Sequence, residues 1–90
     1  MINVNGTLIN KEKEQLSINN RGLLYGDAVF ESIKVTSGRI NFWEDHYFRL
    51  MASMRILRME IPMSFSMEFL EKEILKTIEA SNLTKDTCRI

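Results

Sequence analysis

The sequence predicts an α+β domain in which a mostly antiparallel sheet carries two helices packed on one side. Three observations support this fold class: short β-type segments joined by tight-turn signals, two later stretches with apolar residues at helical spacing, and a strand-like segment at the end of the chain. Strands followed by helices, rather than alternating with them, are typical of α+β architecture. We expect residues 1–90 to form one domain, because so short a chain builds a single core.

The first half of the chain predicts strands and turns. Asn5-Gly6 is a strong hairpin signal, so residues 2–4 and 7–9 should pair. Two turn clusters then flank Leu23-Leu24-Tyr25, which predicts a short irregular bend. Residues 29–35 alternate in polarity and predict a strand, and Ser37-Gly38 turns the chain so that residues 39–42 return antiparallel.

The second half predicts the two helices. Apolar residues recur at helical spacing over residues 43–59, and Pro62 separates this helix from the next one. Ser66 is the expected N-cap of the second helix, which Ser81-Asn82 closes. Residues 86–90 predict a final strand.

The balance of charges and the counts of cysteine and histidine argue against several classes of partner. Twelve basic residues balance twelve acidic ones, so no net field favours nucleic acid or an anionic membrane, and we expect neither partner. The one cysteine, Cys88, has no partner for an internal disulfide, which favours a reducing compartment and predicts a cytoplasmic protein. His46 is the one histidine and has no cysteine nearby, so we expect no metal site.

Three features resist a purely structural interpretation. Arg49 borders the apolar stripe of the first helix, where its planar fork suits a phosphate or carboxylate, although a solvated surface arginine fits the same position. Glu31 shares a strand face with Val29 and Ile33, so its carboxylate is either paired or at a cleft, unless that face is wet. The bend before it either projects Tyr25 for binding or is a plain connector.

Several short motifs occur in a fixed order: Arg21-Gly22, then Tyr25-Gly26-Asp27-Ala28-Val29-Phe30-Glu31, a Gly38 turn, and His46-Tyr47-Phe48-Arg49-Leu50 with Ser53. Together they resemble the N-terminal signature of the class IV aminotransferases, which are pyridoxal-phosphate-dependent enzymes of fold type IV. The stretch from Asn82-Leu83-Thr84 to Arg89-Ile90 resembles the approach to the next strand of that domain. The likeness covers nearly the whole chain. That family includes branched-chain and D-amino acid aminotransferases and aminodeoxychorismate lyases.

The resemblance implies a division of roles. Arg49 would hold the cofactor phosphate, Tyr25 and Phe30 would line the substrate side of the pocket, and Arg89 would match a substrate-carboxylate arginine of the branched-chain members. Thr87 stands where those members carry a tyrosine, which weakens the branched-chain assignment. The resemblance also implies a homodimer that acts on an amino acid and a 2-oxo acid.

The lysine that holds the cofactor covalently belongs, in this family, to a second domain that is absent from this chain. No residue here matches it, so the expected set of catalytic residues is empty and the chain alone should be inactive. The sequence therefore predicts the N-terminal small domain of a pyridoxal-phosphate-dependent aminotransferase. Two alternatives stay open: a fragment of an aminodeoxychorismate lyase-type enzyme, or a stand-alone non-catalytic binding or oligomerisation remnant.

Overall fold

A computed structural model describes residues 1–13 and 15–90. Two antiparallel sheets and three α-helices make up the fold, which confirms the predicted α+β class. The strands are β1 (Ile2–Val4), β2 (Thr7–Ile9), β3 (Lys34–Thr36), β4 (Arg39–Ile40) and β5 (Thr87–Arg89), and the helices are α1 (Arg21–Tyr25), α2 (Trp43–Ile56) and α3 (Met67–Ala80). A single 3-10 turn, Lys11–Lys13, follows β2.

Both predicted tight turns are confirmed. Strands β1 and β2 form a hairpin in which Val4 pairs with Thr7, and Asn5 and Gly6 both have positive φ, as a two-residue type I′ turn requires. Ser37 and Gly38 make the same kind of turn between β3 and β4. The second sheet has the order β4-β3-β5, so β3 is its central strand.

The predicted strand over residues 29–35 is shorter in the structure, because β3 begins only at Lys34. Ile33 still exchanges two backbone hydrogen bonds with Ile90, but this pair is where the β3–β5 pairing ends. Residues 29–32 have no strand partner within the described part of the chain. The predicted alternation nevertheless persists through them, since Glu31 is half-buried while Phe30 is exposed.

The predicted irregular bend at Leu23-Leu24-Tyr25 is wrong, since these residues belong to helix α1. The turn residues on either side are its caps. Asn20 Oδ1 accepts hydrogen bonds from the backbone N–H groups of Gly22 and Leu23, and Gly26 ends the helix in the left-handed conformation. Turn-forming residues and helix-capping residues are the same amino acids, which explains the error.

Helix α2 ends at Ile56, three residues before the predicted end. Arg58 takes a positive φ there, and the N–H of Met59 bonds to the carbonyl of Met54, which is the pattern of a Schellman motif. Helix α3 begins as predicted, with Ser66 Oγ accepting from the N–H of Phe69.

The hydrophobic core is formed by the strand segment around β3 and by the two long helices. Val35, at the centre of the sheet, is fully buried, and Ile33 precedes it on the same face. Met51 and Met54 of α2 and Ile78 of α3 supply the remaining buried apolar side chains. This core holds residues 29–33 beside α2, and that placement forms the site.

Candidate functional site

Glu31, His46 and Arg49 form one ionic cluster, which we call the Glu31 cluster. The Arg49 guanidinium grips the carboxylate in bidentate fashion, with Nε donating to Oε1 at 2.7 Å and Nη2 donating to Oε2 at 2.6 Å. His46 Nδ1 lies 2.6 Å from the same Oε2. The structure therefore confirms that the Glu31 carboxylate, on its otherwise apolar face, is paired.

Local structure brings the three side chains together. His46 and Arg49 are three residues apart on α2, so they project from one face of the helix. Glu31 comes from the extended segment before β3 and points inward, because it alternates with the exposed Phe30. The sequence pattern predicted which face of its element each of the three residues occupies, and the packing of the extended segment against α2 brings them into contact.

The cluster is buried at one end and open at the other. The side chains of Glu31 and His46 are 10% and 14% exposed, whereas that of Arg49 is 63% exposed. Hydrogen bonds from Arg49, and then from His46, lower the pKa of Glu31 from 4.5 to about 2. The same carboxylate raises the pKa of Arg49 above its ordinary value. Glu31 is therefore ionised at neutral pH, and His46 Nδ1 must donate a proton to it.

Arg49 retains donors that the cluster does not use. A guanidinium has five N–H groups, and Glu31 takes one on Nε and one on Nη2. Within residues 1–13 and 15–90, the structure gives Nη1 no hydrogen-bond partner. Nη2 also lies 3.2 Å from His46 Nδ1, but that nitrogen carries the proton it donates to Glu31 and cannot accept a hydrogen bond. Nη1 and the second N–H of Nη2 therefore form another two-donor edge, which has the geometry for a phosphate.

An open, mostly apolar groove of about 660 Å³ lies beside the cluster. Glu31, Phe30 and Arg89 all contribute to its lining, together with Ile33 and Leu50. Arg89 Nη1 donates to Ser32 Oγ at 3.2 Å, which ties the arginine of β5 to the segment that carries Glu31. Three of the side chains singled out by sequence, Phe30, Glu31 and Arg89, thus surround one groove.

Two of the predicted site residues do not line the groove. Arg49 adjoins it only through Glu31, which its guanidinium grips. Tyr25 is the last residue of α1 and is 70% exposed. The guanidinium of Arg21 lies 5.1 Å from the centre of its ring. The structure thus leaves Tyr25 apart from the groove that Phe30 and Arg89 share.

A second polar network was not predicted. Asn3 Nδ2 donates to Glu73 Oε2 at 2.7 Å and to Thr77 Oγ1 at 3.1 Å, and Lys76 Nζ lies 2.8 Å from Glu73. Lys76 Nζ also donates to the carbonyl of Gly6, so the network ties the first hairpin to α3. Hydrogen bonds from Lys76, and then from Asn3, lower the pKa of Glu73. Asn3 and Glu73 are 70 residues apart in sequence, and no local pattern signals such a contact.

The described residues contain no group of three or more His, Cys, Asp or Glu side chains arranged to hold a metal ion. Over the same ranges, none of the helices is both long enough and apolar enough to cross a membrane.

Comparison with known proteins identifies the family. The model of the family "Amino-transferase class IV" matches residues 28–90. The chain is 33% identical over 82 residues to a protein named "Putative branched-chain-amino-acid aminotransferase" from Methanocaldococcus jannaschii, covering 91% of this chain and 28% of that protein. It is also 33% identical over 79 residues to the D-alanine aminotransferase of Listeria monocytogenes serotype 1/2a (strain 10403S), covering 88% and 26%. A D-alanine aminotransferase of Staphylococcus aureus (strain N315) is 26% identical over 80 residues, covering 89% and 28%.

The chain therefore belongs to the class IV aminotransferases. It spans about a quarter of the length of the curated relatives that it matches. The matched region includes the whole Glu31 cluster, together with Phe30 and Arg89, whereas Tyr25 lies just before it.

Proposed function

We propose that this chain is the N-terminal small domain of a pyridoxal-phosphate-dependent aminotransferase, and that Arg49 binds the cofactor phosphate. The observation that carries the proposal is the open Nη1–Nη2 edge of Arg49, whose other edge grips Glu31, a residue of the groove that Arg89 also lines. Family membership supports the cofactor class. When bound, pyridoxal phosphate supplies the electron sink for bond breaking at the substrate α-carbon.

The residues of this chain fit the phosphate end of that cofactor. Arg49 offers two parallel donors on a guanidinium that is more than half exposed, while Glu31 holds its other edge. A charge-assisted pair of this kind fixes both position and orientation. Arg89 and Phe30 would contribute a carboxylate contact and an aromatic wall on the substrate side. Tyr25 would join them only if α1 packs against further protein.

The chain provides binding but not the chemical step. Its lysines are Lys11, Lys13, Lys34, Lys72, Lys76 and Lys85. None matches the family's cofactor lysine, and Lys34, the one nearest the motif, lies exposed on β3. We therefore propose that the chain alone does not transfer amino groups, and that activity requires the second domain that carries the cofactor lysine in this family.

The proposal extends to assembly and location. A homodimer would cover part of the exposed apolar surface, which includes Phe30, Phe42 and Phe48. The single cysteine supports a cytoplasmic location. The substrates would be an amino acid and a 2-oxo acid.

The test uses Arg49→Ala, with Arg55→Ala as the matched control on the exposed side of α2. Each chain is titrated with pyridoxine phosphate, which carries the phosphate but no aldehyde to react with lysines. Hydrogen bonds to charged groups contribute about 1.5–3 kcal/mol. Arg49→Ala should therefore weaken binding by about one to two decades, while Arg55→Ala leaves it unchanged.

Melting curves without ligand separate binding from folding. If Arg49→Ala and Arg55→Ala bind pyridoxine phosphate equally well, the phosphate site is elsewhere. Pyridoxine, which lacks the phosphate, should bind both variants and the parent chain alike.

A further inference from the structure

One edge of the Arg49 guanidinium binds Glu31, and the donors of its other edge are open to a ligand. We propose that Glu31 is a positioning residue, backed by His46, that orients Arg49 so that its Nη1–Nη2 edge faces a phosphate. The proposal rests on the proposed function, because it assumes that Arg49 is the phosphate ligand.

Glu31 is suited to this task because it cannot move freely. Its side chain is only 10% exposed, and it lies on the inward face of the segment that leads into the central strand. His46, itself 14% exposed, donates to Oε2 at 2.6 Å. The carboxylate is thus fixed by a second buried side chain before it grips the arginine.

The geometry of the grip decides which donors remain. Nε and Nη2 donate to the two carboxylate oxygens at 2.7 and 2.6 Å. Because these two nitrogens form the Nε side of the guanidinium, both oxygens lie along that side. A grip on the Nη1–Nη2 end would instead have left only the Nε side for a ligand. The observed pairing leaves the terminal edge, which a ligand reaches without displacing Glu31.

Two effects of Glu31 on a phosphate oppose each other. Fixing the long arginine side chain in advance favours binding, because less rotamer entropy is lost when the ligand arrives. The negative charge of Glu31 disfavours a second anion nearby. The affinity change on Glu31→Gln alone is therefore not diagnostic, since the two effects partly cancel.

A double-mutant cycle separates the two effects. Arg49→Lys keeps the positive charge, so the electrostatic effect of Glu31 on a bound phosphate is nearly the same for arginine and lysine. Lysine cannot donate to Glu31 and to a phosphate through two separate pairs of N–H groups, so it lacks the orienting effect. Dissociation constants for pyridoxine phosphate are measured for the parent chain, Arg49→Lys, Glu31→Gln and the double variant. Backbone amide shifts of α2 report the binding in all four.

We expect Arg49→Lys to weaken binding about tenfold when Glu31 is present. In the Glu31→Gln background, the same change should weaken binding only about twofold to threefold, because the arginine is no longer oriented. An ion pair that serves only the fold would give the same arginine-to-lysine ratio in both backgrounds, and equal ratios would overturn the proposal.

Glu31→Asp provides a second variant if Glu31→Gln folds poorly. Aspartate keeps the charge, but its shorter side chain moves the carboxylate away from Arg49. The loss of affinity caused by Arg49→Lys should therefore also be smaller in this background, and an unchanged loss would count against a positioning role. The parent chain gives a readout that needs no variant: without ligand, the side-chain N–H signals of Arg49 should show restricted rotation about the Nε–Cζ bond. A freely rotating guanidinium would overturn the proposal.

The results also distinguish this inference from the proposed function. If Arg49→Ala leaves phosphate-dependent binding intact, the site itself is wrong. If Arg49→Ala abolishes that binding but the two ratios are equal, the site stands and the positioning role of Glu31 fails.

Discussion

The Glu31 cluster and the exposed stretch from α1 to Phe30 differ in how far the chain itself determines them. In the cluster, each side chain finds a partner, and two of the three are largely buried. In the exposed stretch, Leu23 and Leu24 face solvent, and Phe30 is 86% exposed. These 90 residues therefore hold the proposed phosphate-binding arginine in place without further protein. The side chains of the proposed substrate wall, Tyr25 and Phe30, are left exposed.

The largest expected effect tests whether stability comes from the packed layer around the cluster. Ile78 is buried on α3, so Ile78→Ala should lower the free energy of unfolding by about 2–5 kcal/mol, from lost burial and the cavity left behind. Urea denaturation measures this loss. A cost below about 1 kcal/mol would mean that the core is looser than the structure describes.

Acid should weaken the Glu31 cluster. The folded pKa of Glu31 is about 2, lowered from 4.5, so its contribution to stability is fully present above about pH 4.5 and is lost as the pH falls toward 2. Because Arg49 is 63% exposed, solvent screening reduces this contribution.

The measurement compares urea midpoints of the parent chain and Glu31→Gln from about pH 6 to about pH 2. The parent chain should lose more stability than the variant over this range. Glu71→Gln, which removes an exposed carboxylate on α3, serves as the control and should follow the parent chain. Parallel curves for the parent and Glu31→Gln would contradict the assigned pairing.

The smallest effect belongs to the exposed stretch. Phe30→Ala and Tyr25→Ala should each change the free energy of unfolding by no more than about 0.5 kcal/mol, because both rings are mostly exposed. The stacking of Arg21 on Tyr25 is also at the surface and contributes little. A loss above about 1 kcal/mol for either variant would show that these side chains are packed in solution, contrary to their exposure in the structure.

Local signals predicted most of the secondary structure and part of the site. Asn5-Gly6, Ser37-Gly38 and Ser66 act through neighbouring backbone groups, so their roles were readable from the sequence. The end of α2 was not, because Arg58 takes a positive φ there without being glycine or asparagine. Helix α1 was missed because its caps are also turn residues.

The sequence predicted which residues belong to the site, but not which of them contact one another. Alternation placed Glu31 on the inward face, and helical spacing placed His46 and Arg49 on one border of α2. No periodicity within one element indicates which side chain of another element it will meet. The pairing of Glu31 with Arg49 therefore required the fold, as did the link from Asn3 to Glu73.

The spacing of these two contacts along the chain bears on the order in which the molecule folds. The Glu31–Arg49 contact closes a loop of 18 residues, whereas the Asn3–Glu73 contact closes one of 70. Loop-closure entropy makes the shorter loop cheaper by about 1.2 kcal/mol. Contacts near in sequence also form faster than distant ones. We therefore expect the Glu31–Arg49 pair to form before the first hairpin docks on α3, so that the proposed cofactor contact is among the earliest tertiary structure this chain acquires.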